Sequence, residues 1–265
     1  MAAYYSPAAN AASLCQVRAI SLRQPFAWLA RGWSDVRRSL APSLLHGFVV
    51  ALAGIVVLAL AALWPALLPA AISGFLILGP ILATGLYELS RVADEGRRPD
   101  LGDVRSAWRR GSRPLVWLGW LLFLAGTLWV LVSTVIFKLF VHAPITDPLA
   151  FLRYTVSLLG NPWFFMWSML GGVGAAVVFA ATVVSAPLLL DRDIELRDAV
   201  TVSLHAVGQN AAAMAVWATL IVLLTALSIA TASFGFVFAF PVLGHATWHA
   251  YRDLVDARAL PRRRR

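Results

Sequence analysis

The fold is decided by an uncharged stretch at residues 44–64, which reads LLHGFVVALAGIVVLALAALW. A helix of about 20 apolar residues crosses the ~30 Å hydrocarbon core of a bilayer, so this stretch predicts a membrane span. Comparable stretches recur along the chain. Together they predict six spans, at about 44–64, 66–90, 115–138, 163–190, 211–232 and 234–251.

The composition fits a membrane protein. Hydrophobic residues make up 60% of the 265 positions, and charged residues make up 13%. One soluble core of this size could not bury so much apolar surface. The net charge of +9 would suit nucleic acid, but the basic residues border the spans, so we predict no nucleic-acid partner. Cys15 is the single cysteine, which excludes a disulfide framework within the chain.

The distribution of positive charge predicts the topology. Twenty of the 22 Lys and Arg residues fall within residues 18–38, 91–113, 192–197 and 252–265. Because cationic loops resist translocation, all four regions are predicted to lie in the cytoplasm. Both chain termini are therefore predicted to be cytoplasmic.

A helical stretch of mixed character precedes each predicted hairpin. The first places Phe26 and Trp33 on an apolar side and Asp35 on another side, and residues 101–110 and 196–207 share this pattern. Such helices lie in the membrane interface with the apolar side towards the lipid. The sequence therefore predicts three cytoplasmic interfacial amphipathic helices.

The sequence also shows internal similarity. Residues 100–103 match residues 195–198, and residues 74–91 match residues 235–252. Two spans separate successive copies, so every copy has the same orientation, as in other parallel repeats. Asp100 and Asp193 are predicted N-caps of the second and third interfacial helices. The predicted fold is all-α, with six transmembrane helices in three hairpins, each preceded by an interfacial helix, around a pseudo-threefold axis.

The chain divides into a membrane domain and two tails. Residues 1–16 are a predicted disordered tail, residues 17–256 the six-span domain and residues 257–265 a basic tail. The outer link at 139–162 contains a predicted surface helix. The small-residue run 171–176 predicts close helix contact, either inside the bundle or at a dimer face, and the internal contact is favoured.

Several motifs resemble a known family. SAPLLLDRD at 185–193, GHATWHAYR at 244–252 and GLYELSR at 85–91 are similar to the DUF2189 family of bacterial integral membrane proteins. The resemblance covers about residues 17–255 and implies a multi-pass protein of the bacterial inner membrane. It brings no activity, although some members carry a provisional label of cytochrome c oxidase subunit. Asn210 precedes Ala where the family has Pro, which leaves the entry of the fifth span less firmly defined.

Ionisable side chains inside or at the ends of spans are costly, so they define the candidate site. The candidate polar cluster comprises Glu88, His46, His205, His245, His249 and Asp191. We expect His249 to pair with Glu88 or Asp191. Aromatic residues Tyr87, Trp248 and Tyr251 are predicted to form an interfacial belt. Arg91, Arg192 and Arg252 are predicted to face lipid headgroups or to reach helix C-terminal carbonyls.

Two of these histidines raise the question of a metal. His245 and His249 are four residues apart and share a helix face, and imidazole ligates metals and haem iron. Two histidines of one helix face cannot be the two axial ligands of one haem, so a haem would need His46 or His205 from another helix. We expect no cofactor, with metal or haem binding as the alternative.

Three functions remain open from the sequence. The leading one is a non-enzymatic structural, assembly or lipid-contacting role, with anionic headgroups and a membrane-protein partner as expected contacts. The second is a small-solute carrier or channel that uses the polar cluster. The third is a haem- or metal-binding accessory subunit of a respiratory oxidase. Motifs of soluble catalysis, such as a phosphate loop or a GxSxG elbow, are absent from the sequence.

Overall fold

The computed structural model of the protein describes residues 15–63, 68–109, 112–140 and 162–263. The predicted all-α class is confirmed, because helices account for most of these residues. Two short strands, β1 (Gln16–Val17) and β2 (Val255–Asp256), pair in antiparallel fashion and join the two ends of the described chain.

The helices follow one another with few interruptions. In chain order they are α1 (Gln24–Arg38), α2 (Leu40–Leu63), α3 (Leu68–Ile77), α4 (Gly79–Leu82), α5 (Thr84–Asp94), α6 (Leu101–Arg109), α7 (Arg113–Phe140), α8 (Pro162–Thr182), α9 (Ser185–Asp191), α10 (Leu196–Gln209), α11 (Ala211–Ala230) and α12 (Phe236–Leu254).

Four helical segments are long and apolar enough to cross a bilayer. They are Leu40–Leu60, Arg113–Phe140, Pro162–Asp191 and Ala211–Ala230. Four of the six predicted spans are thus supported by length and composition. The second predicted span is divided into α3, α4 and α5, and the sixth corresponds to α12, whose C-terminal half is polar.

Proline explains the division of the second span. Pro80 has no backbone N–H and cannot donate a helical hydrogen bond, and α3 ends shortly before it at Ile77. Pro187 lies in α9, which follows a similar interruption after Thr182. Pro241, in contrast, is contained within α12.

Three short helical segments form the centre of the fold. Residues 84–90 of α5, 185–191 of α9 and 243–251 of α12 are buried on all sides. Each of the three segments contacts the other two. Gly244 allows this approach, since a Cβ there would lie 2.5 Å from a methyl carbon of Leu86. The polar C-terminal half of α12 is therefore surrounded by protein.

The three predicted interfacial helices pack against these central segments. Helix α6 packs on α5, α10 packs on α9, and α1 packs on α12. In α1 the buried residues include Trp28, Gly32 and Asp35, whereas Phe26 and Trp33 are exposed. Asp35 therefore lies on a different side of α1 from Phe26 and Trp33, as predicted, and that side packs on α12.

Helix α10 shows the same arrangement. Its buried residues include Ala199, Ser203 and Ala206, whereas Leu204 is exposed. Small side chains allow two helix backbones to approach closely, so they take the inner face. The larger apolar side chains are then left to face outwards.

The predicted N-caps have different outcomes. The Asp103 backbone N–H donates to the Asp100 side chain at 2.9 Å, and the Asp100 N–H donates to the Asp103 side chain at 3.1 Å. Asp100 is thus confirmed as the cap of α6. Asp193 is not the cap of α10, which begins at Leu196, and the Asp193 N–H donates to the Pro261 carbonyl instead.

Some predictions concern loops and tails. Residues 1–14 of the predicted disordered tail lie outside the described part of the chain, and Gln16 lies in β1. Most of the predicted outer link, 141–161, is also outside the described part. At the other end, Leu260 is buried and the Arg263 N–H donates to the Asp191 carbonyl, so this end of the predicted basic tail lies against the fold.

The small-residue run faces largely outwards. A Cβ added to Gly172 or Gly174 would meet nothing within 4 Å, while one on Gly171 would approach Trp129. The predicted internal contact is therefore wrong for Gly172 and Gly174. Within this run, Gly171 of α8 is the residue that packs on Trp129 of α7.

Candidate functional site

His245 lies at the centre of a buried polar cluster. Its side chain is fully buried, with Nε2 2.9 Å from Ser43 Oγ of α2 and Nδ1 2.7 Å from Ser90 Oγ of α5. Both ring nitrogens thus have hydroxyl partners from different helices. The imidazole joins α12 to α2 and α5.

A second contact joins α12 to α1. His249 Nε2 lies 2.8 Å from Asp35 Oδ2, and Ser90 Oγ donates to the same oxygen at 2.7 Å. Burial acts to raise the pKa of Asp35, but hydrogen bonds from His249 and Ser90 and the nearby imidazoles outweigh it, so the pKa lies below its usual value. The prediction that His249 pairs with Glu88 or Asp191 is wrong.

Further serines extend this chain of contacts. Ser39 Oγ donates to the Asp35 carbonyl at 2.8 Å and lies 2.9 Å from Ser43 Oγ. We call the whole set the Asp35 network. It consists of Asp35, Ser39, Ser43, Ser90, His245 and His249, all of them buried.

The sequence predicted only the two histidines of this network. Asp35, Ser39 and Ser43 are spaced by four residues, so they share one helix face. That regular spacing of polar residues at the entry to the first span was the signal that could have found them. Ser90 carried no comparable signal.

Glu88 belongs to a separate ion-pair group. Arg91 Nε donates to Glu88 at 2.8 Å, and Arg91 Nη1 donates to Glu95 at 2.9 Å. The hydrogen bond to Glu88 raises the pKa of the Arg91 guanidinium above its usual value, against the effect of burial. These ion pairs join residues three and four positions apart at the C-terminal end of α5, so Glu88 has a partner on its own helix.

Asp191 belongs to a third group. The Tyr251 hydroxyl donates to Asp191 Oδ2 at 2.8 Å, and Arg192 Nε donates to the same oxygen at 3.0 Å. Arg192 Nη1 also donates to the Leu260 carbonyl at 2.9 Å. Through these two bonds the buried Arg192 joins the segment around Leu260 to the end of α9.

The three arginines predicted to face headgroups differ in their exposure and partners. Arg91 and Arg192 make ion pairs within the protein, and contact of these two arginines with headgroups stays a prediction. Arg252 is partly exposed, with Nε 3.6 Å from Asp94. Ionised partners are available within the protein, and a paired buried charge is less costly than an unpaired one.

The predicted aromatic belt is buried. Tyr87, Trp248 and Tyr251 are each 3% exposed or less. Trp248 Nε1 donates to Asp94 at 2.9 Å, so its polar edge has a partner inside the protein. These side chains fill the centre of the fold and do not form a belt at its rim.

Residues 67–191 match the DUF2189 family model. The family is described as a predicted integral membrane protein, and the resemblance seen in the sequence is confirmed over these residues. The match, with the four apolar segments, identifies the chain as an integral membrane protein. Comparisons with curated proteins and with solved structures gave no match.

The DUF2189 match covers only part of the polar groups. It includes Glu88, Arg91 and Asp191. Asp35 and the GHATWHAYR string, with both network histidines, lie outside the matched residues. The Asp35 network therefore joins the DUF2189 segment, through Ser90, to both flanking parts of the chain.

The two remaining histidines lie apart from the network. His46 Nε2 is 2.6 Å from the Leu82 carbonyl, and its ring stacks on Phe240. His205 is exposed on α10. Within the described residues, no group of three or more His, Cys, Asp or Glu side chains is placed to hold a metal ion. Metal or haem binding by His245 or His249 stays a prediction.

The exposed side of α1, together with Leu40 at the start of α2, forms a second candidate surface. Phe26, Trp33 and Leu40 are each about half exposed, and Arg37 and Arg38 at the end of the helix are exposed beside them. We call these five residues the α1 outer face. Aromatic and basic side chains in this combination are typical of helices at a membrane–water interface.

Proposed function

We propose that the chain is a six-span protein of the bacterial inner membrane, built from three parallel hairpin units with both termini in the cytoplasm. In this arrangement α3–α5 and α12 complete the second and sixth spans. The four apolar segments and the DUF2189 match support the membrane part of the proposal. The distribution of Lys and Arg supports the orientation.

The packing of the interfacial helices supports the pseudo-threefold axis. Helices α6 and α10 each pack on the central segment that precedes them in the chain. The central segment of α12 has no later interfacial helix, and α1 from the start of the chain packs there instead. The three pairs are α12 with α1, α5 with α6 and α9 with α10. They would be related to one another by the proposed threefold axis.

Cysteine labelling in cells tests this topology. In a Cys15→Ser background, we expect Leu63→Cys and Thr231→Cys to react with a membrane-impermeant maleimide added to spheroplasts. Arg98→Cys should react only after the membrane is permeabilised. If Thr231→Cys also required permeabilisation, the fifth and sixth spans would not form an outward hairpin, and the six-span proposal would be overturned.

The function that we propose is a non-enzymatic, lipid-contacting role at the cytoplasmic face. The observation that carries it is the two-sided character of α1. One side packs on α12 through Trp28, Gly32 and Asp35, and the other is the α1 outer face. A helix fixed to the protein core in this way holds an apolar and cationic surface at a constant position.

The chemistry of this surface fits anionic lipid. Trp33 and Phe26 suit the boundary between headgroups and acyl chains, while Arg37 and Arg38 attract negative headgroups. Each basic residue near an anionic membrane surface contributes about 1 kcal/mol. Two arginines beside exposed aromatic rings therefore favour an anionic over a zwitterionic lipid.

Lipid retention tests this role. Wild-type protein in nanodiscs of mixed anionic and zwitterionic lipid should retain anionic lipid, as counted by native mass spectrometry. The Arg37→Gln/Arg38→Gln variant should lose that preference by about tenfold or more. Arg258→Gln removes an exposed arginine outside α1 and serves as the matched control. Equal retention by both variants would contradict the proposal.

The carrier alternative needs a path for solute. One cavity among the described residues has a volume of about 10 Å³ and is lined by Gly54, Phe75, Ser233 and other residues away from the Asp35 network. Such a volume is at the lower limit for one water molecule. Solute transport stays a prediction that flux measurements in vesicles would test.

A further inference from the structure

A basic and aromatic surface forms at the corner where α6 leads into α7. Its α6 part is an exposed helix face opposite the buried Ala107, and this face consists of Leu101, Arg105, Trp108 and Arg109. Leu101 and Trp108 are each about half exposed. The face therefore presents an indole ring and two guanidinium groups to the surroundings of the protein.

The outer face of α7 continues this chemistry along a helix long enough to cross a bilayer. Helix α7 begins at Arg113, four positions after Arg109, so the Cα atoms of these two arginines are no more than about 14 Å apart. Trp117 and Trp120 lie on the same face of α7 as Arg113, opposite the buried Leu122, and all three are exposed. The name α6–α7 corner is used for the set Arg105, Trp108, Arg109, Arg113, Trp117 and Trp120.

The charges of the α6–α7 corner have no counterion in the described part of the chain. No ion pair joins Arg105, Arg109 or Arg113 to another described residue. Asp103, the acidic residue of α6, pairs with Arg97 instead, at 3.5 Å. Among the described residues, the three indole N–H groups of the corner also lack an acceptor. The corner therefore offers three positive charges and three aromatic donors to a partner.

The other two corners of the proposed threefold arrangement do not have this combination. At the corner of α10 and α11, the chain from Leu204 to Ala230 contains no Lys or Arg, and its single tryptophan, Trp217, is buried. At the corner of α1 and α2, the α1 outer face contains Trp33, Arg37 and Arg38, but α2 has neither arginine nor tryptophan. Contact with the membrane alone does not explain this difference, because all three corners would meet the same bilayer.

We propose that the α6–α7 corner binds one anionic phospholipid. The phosphate accepts hydrogen bonds from Arg105, Arg109 and Arg113, whose guanidinium groups match the geometry of phosphate oxygens through paired N–H donors. The proposal rests on the lipid-contacting role proposed above and adds a second surface to it. This surface lies within residues 67–191, the part of the chain that matches DUF2189, whereas the α1 outer face lies outside that part.

The spacing along α7 favours a lipid over a free phosphate or an acidic peptide. A helix rises about 1.5 Å per residue, so Trp117 lies about 6 Å and Trp120 about 10 Å along α7 from Arg113. The headgroup layer on each side of the hydrocarbon core is about 5–7 Å thick. With Arg113 at the level of the phosphate, Trp117 lies at the base of the headgroups and Trp120 lies beside the acyl chains. A ligand without acyl chains would not contact Trp120.

Tryptophan fluorescence in nanodiscs tests the site, because a bromine atom on an acyl chain quenches nearby indole rings. Trp33→Phe is the starting variant, so that the α1 outer face contributes no signal. Subtraction of the signal of Trp33→Phe/Trp117→Phe/Trp120→Phe gives the fluorescence of the two corner rings. We expect this fluorescence to be half quenched at an about tenfold lower fraction of brominated anionic lipid than of brominated zwitterionic lipid, since each basic residue at an anionic surface contributes a factor of about five. Equal fractions for the two lipids would overturn the proposal.

A charge variant tests the role of the arginines. In the Trp33→Phe background, Arg105→Gln/Arg109→Gln/Arg113→Gln keeps the three rings of the corner and removes its positive charges. We expect the two brominated lipids to quench this variant at similar fractions, because the headgroup charge no longer has a partner. If the variant kept the tenfold difference, the three arginines would not bind the headgroup and the proposal would be wrong.

A matched variant controls for net charge. Arg23→Gln/Arg98→Gln/Arg258→Gln replaces three exposed arginines outside both surfaces, and it should keep the difference between the two lipids. Loss of the difference in this control as well would show an effect of net charge alone and would contradict a site at the α6–α7 corner. Lipid retention through Arg37 and Arg38 is measured separately, so failure of the α6–α7 site leaves the role of the α1 outer face standing.

Discussion

Asp35 in α1 and His249 in α12 meet through a 2.8 Å contact, although they are 214 positions apart in the sequence. Removing the carboxylate leaves the hydroxyl of Ser90 and the N–H of His249 without their acceptor. Loss of one partner from a buried polar pair costs about 3 kcal/mol. We therefore expect Asp35→Ala to lower the free energy of unfolding in detergent micelles by about that amount.

Asp193→Ala is the control for this prediction. Asp193 is exposed, and its backbone N–H, which donates to Pro261, is kept in the variant. Surface substitutions of this kind change stability by no more than about 0.5 kcal/mol. Similar losses in the two variants would show that the Asp35 contact does not stabilise the fold.

The sequence predicted the spans well where length and absence of charge were sufficient evidence. It also predicted the cap at Asp100, because that interaction joins residues three apart. The partner of His249 could not be predicted in this way, since no local periodicity connects it with Asp35. Its acidic side chain suggested Glu88 as the partner, but Glu88 accepts instead from Arg91, which lies one turn away on the same helix.

The partner of the buried side of α1 could not be predicted from the sequence. The helical pattern predicted that Phe26 and Trp33 face lipid, but it did not indicate which helix packs on the side of Asp35. In a lipid-facing helix large apolar side chains lose nothing by facing outwards, and small residues allow close packing on the inner side, where Trp28 is also buried. Gly32, with a Cβ position 2.6 Å from the Val242 carbonyl, is the clearest example.

Gly32 also provides a packing prediction. An added methyl group would lie 2.6 Å from the Val242 oxygen and 2.8 Å from the Ala246 nitrogen, both backbone atoms that cannot rotate away. Overpacking of this kind costs about 1–3 kcal/mol. We expect Gly32→Ala to lower the thermal unfolding midpoint and to weaken the docking of α1.

Gly172→Ala is the matched control, because nothing lies within 4 Å of the added Cβ. Alanine is favoured over glycine in a helix by about 0.5–1 kcal/mol. The unfolding midpoint should therefore stay constant or rise. A fall equal to that of Gly32→Ala would contradict the packing argument.

Asp253 provides a pH prediction. Its carboxylate accepts from Gln24 at 2.6 Å and from Trp28 at 2.8 Å, and it pairs with Arg31, so it binds the start of α1 to the end of α12. Burial acts to raise the pKa of Asp253, but the bonds from Arg31, Gln24 and Trp28 outweigh it and hold the pKa below its usual value. The ionised group therefore stabilises the fold.

The sign of the pH dependence follows from this lowered pKa. The stabilisation is fully present above the pKa of the unfolded carboxyl, about 3.9, and is lost as the pH falls through the lower folded pKa. The stability difference between wild type and Asp253→Asn should thus be constant from pH 7 to 5 and shrink below about pH 4. A difference that stays constant down to pH 3 would show that the Asp253 pKa is not lowered.

The turn between α11 and α12 contains a strained residue. Ala232 has φ of 50°, a left-handed conformation that glycine adopts without steric cost. We expect Ala232→Gly to stabilise the protein by about 0.5–1 kcal/mol. Ala226→Gly, in the interior of α11, is the control and should destabilise it by about 1 kcal/mol. Stability measurements that show the same sign for both would exclude strain at Ala232.

Cys15 offers a test of the packed N-terminal segment. Burial raises the pKa of its thiol to about 11, with Asp198 and Asp256 adding to the effect and Arg192 opposing it. Since the thiolate is the reactive form, its fraction at pH 8 is lower in the folded protein than in the unfolded chain. Higher intrinsic nucleophilicity offsets part of this loss, so we expect folded Cys15 to react with iodoacetamide about tenfold more slowly.

The pH profile separates this effect from simple shielding of the thiol. In the unfolded chain the alkylation rate should level off above about pH 9, because an unperturbed thiol has a pKa near 8.5. In the folded protein the rate should continue to rise up to pH 10.5. Cys15 is the single cysteine, so no other site contributes to the rate. A folded rate that also levels off near pH 9 would show that only access to the thiol is reduced, and that residues 15–17 do not hold it in the low-polarity position next to α10.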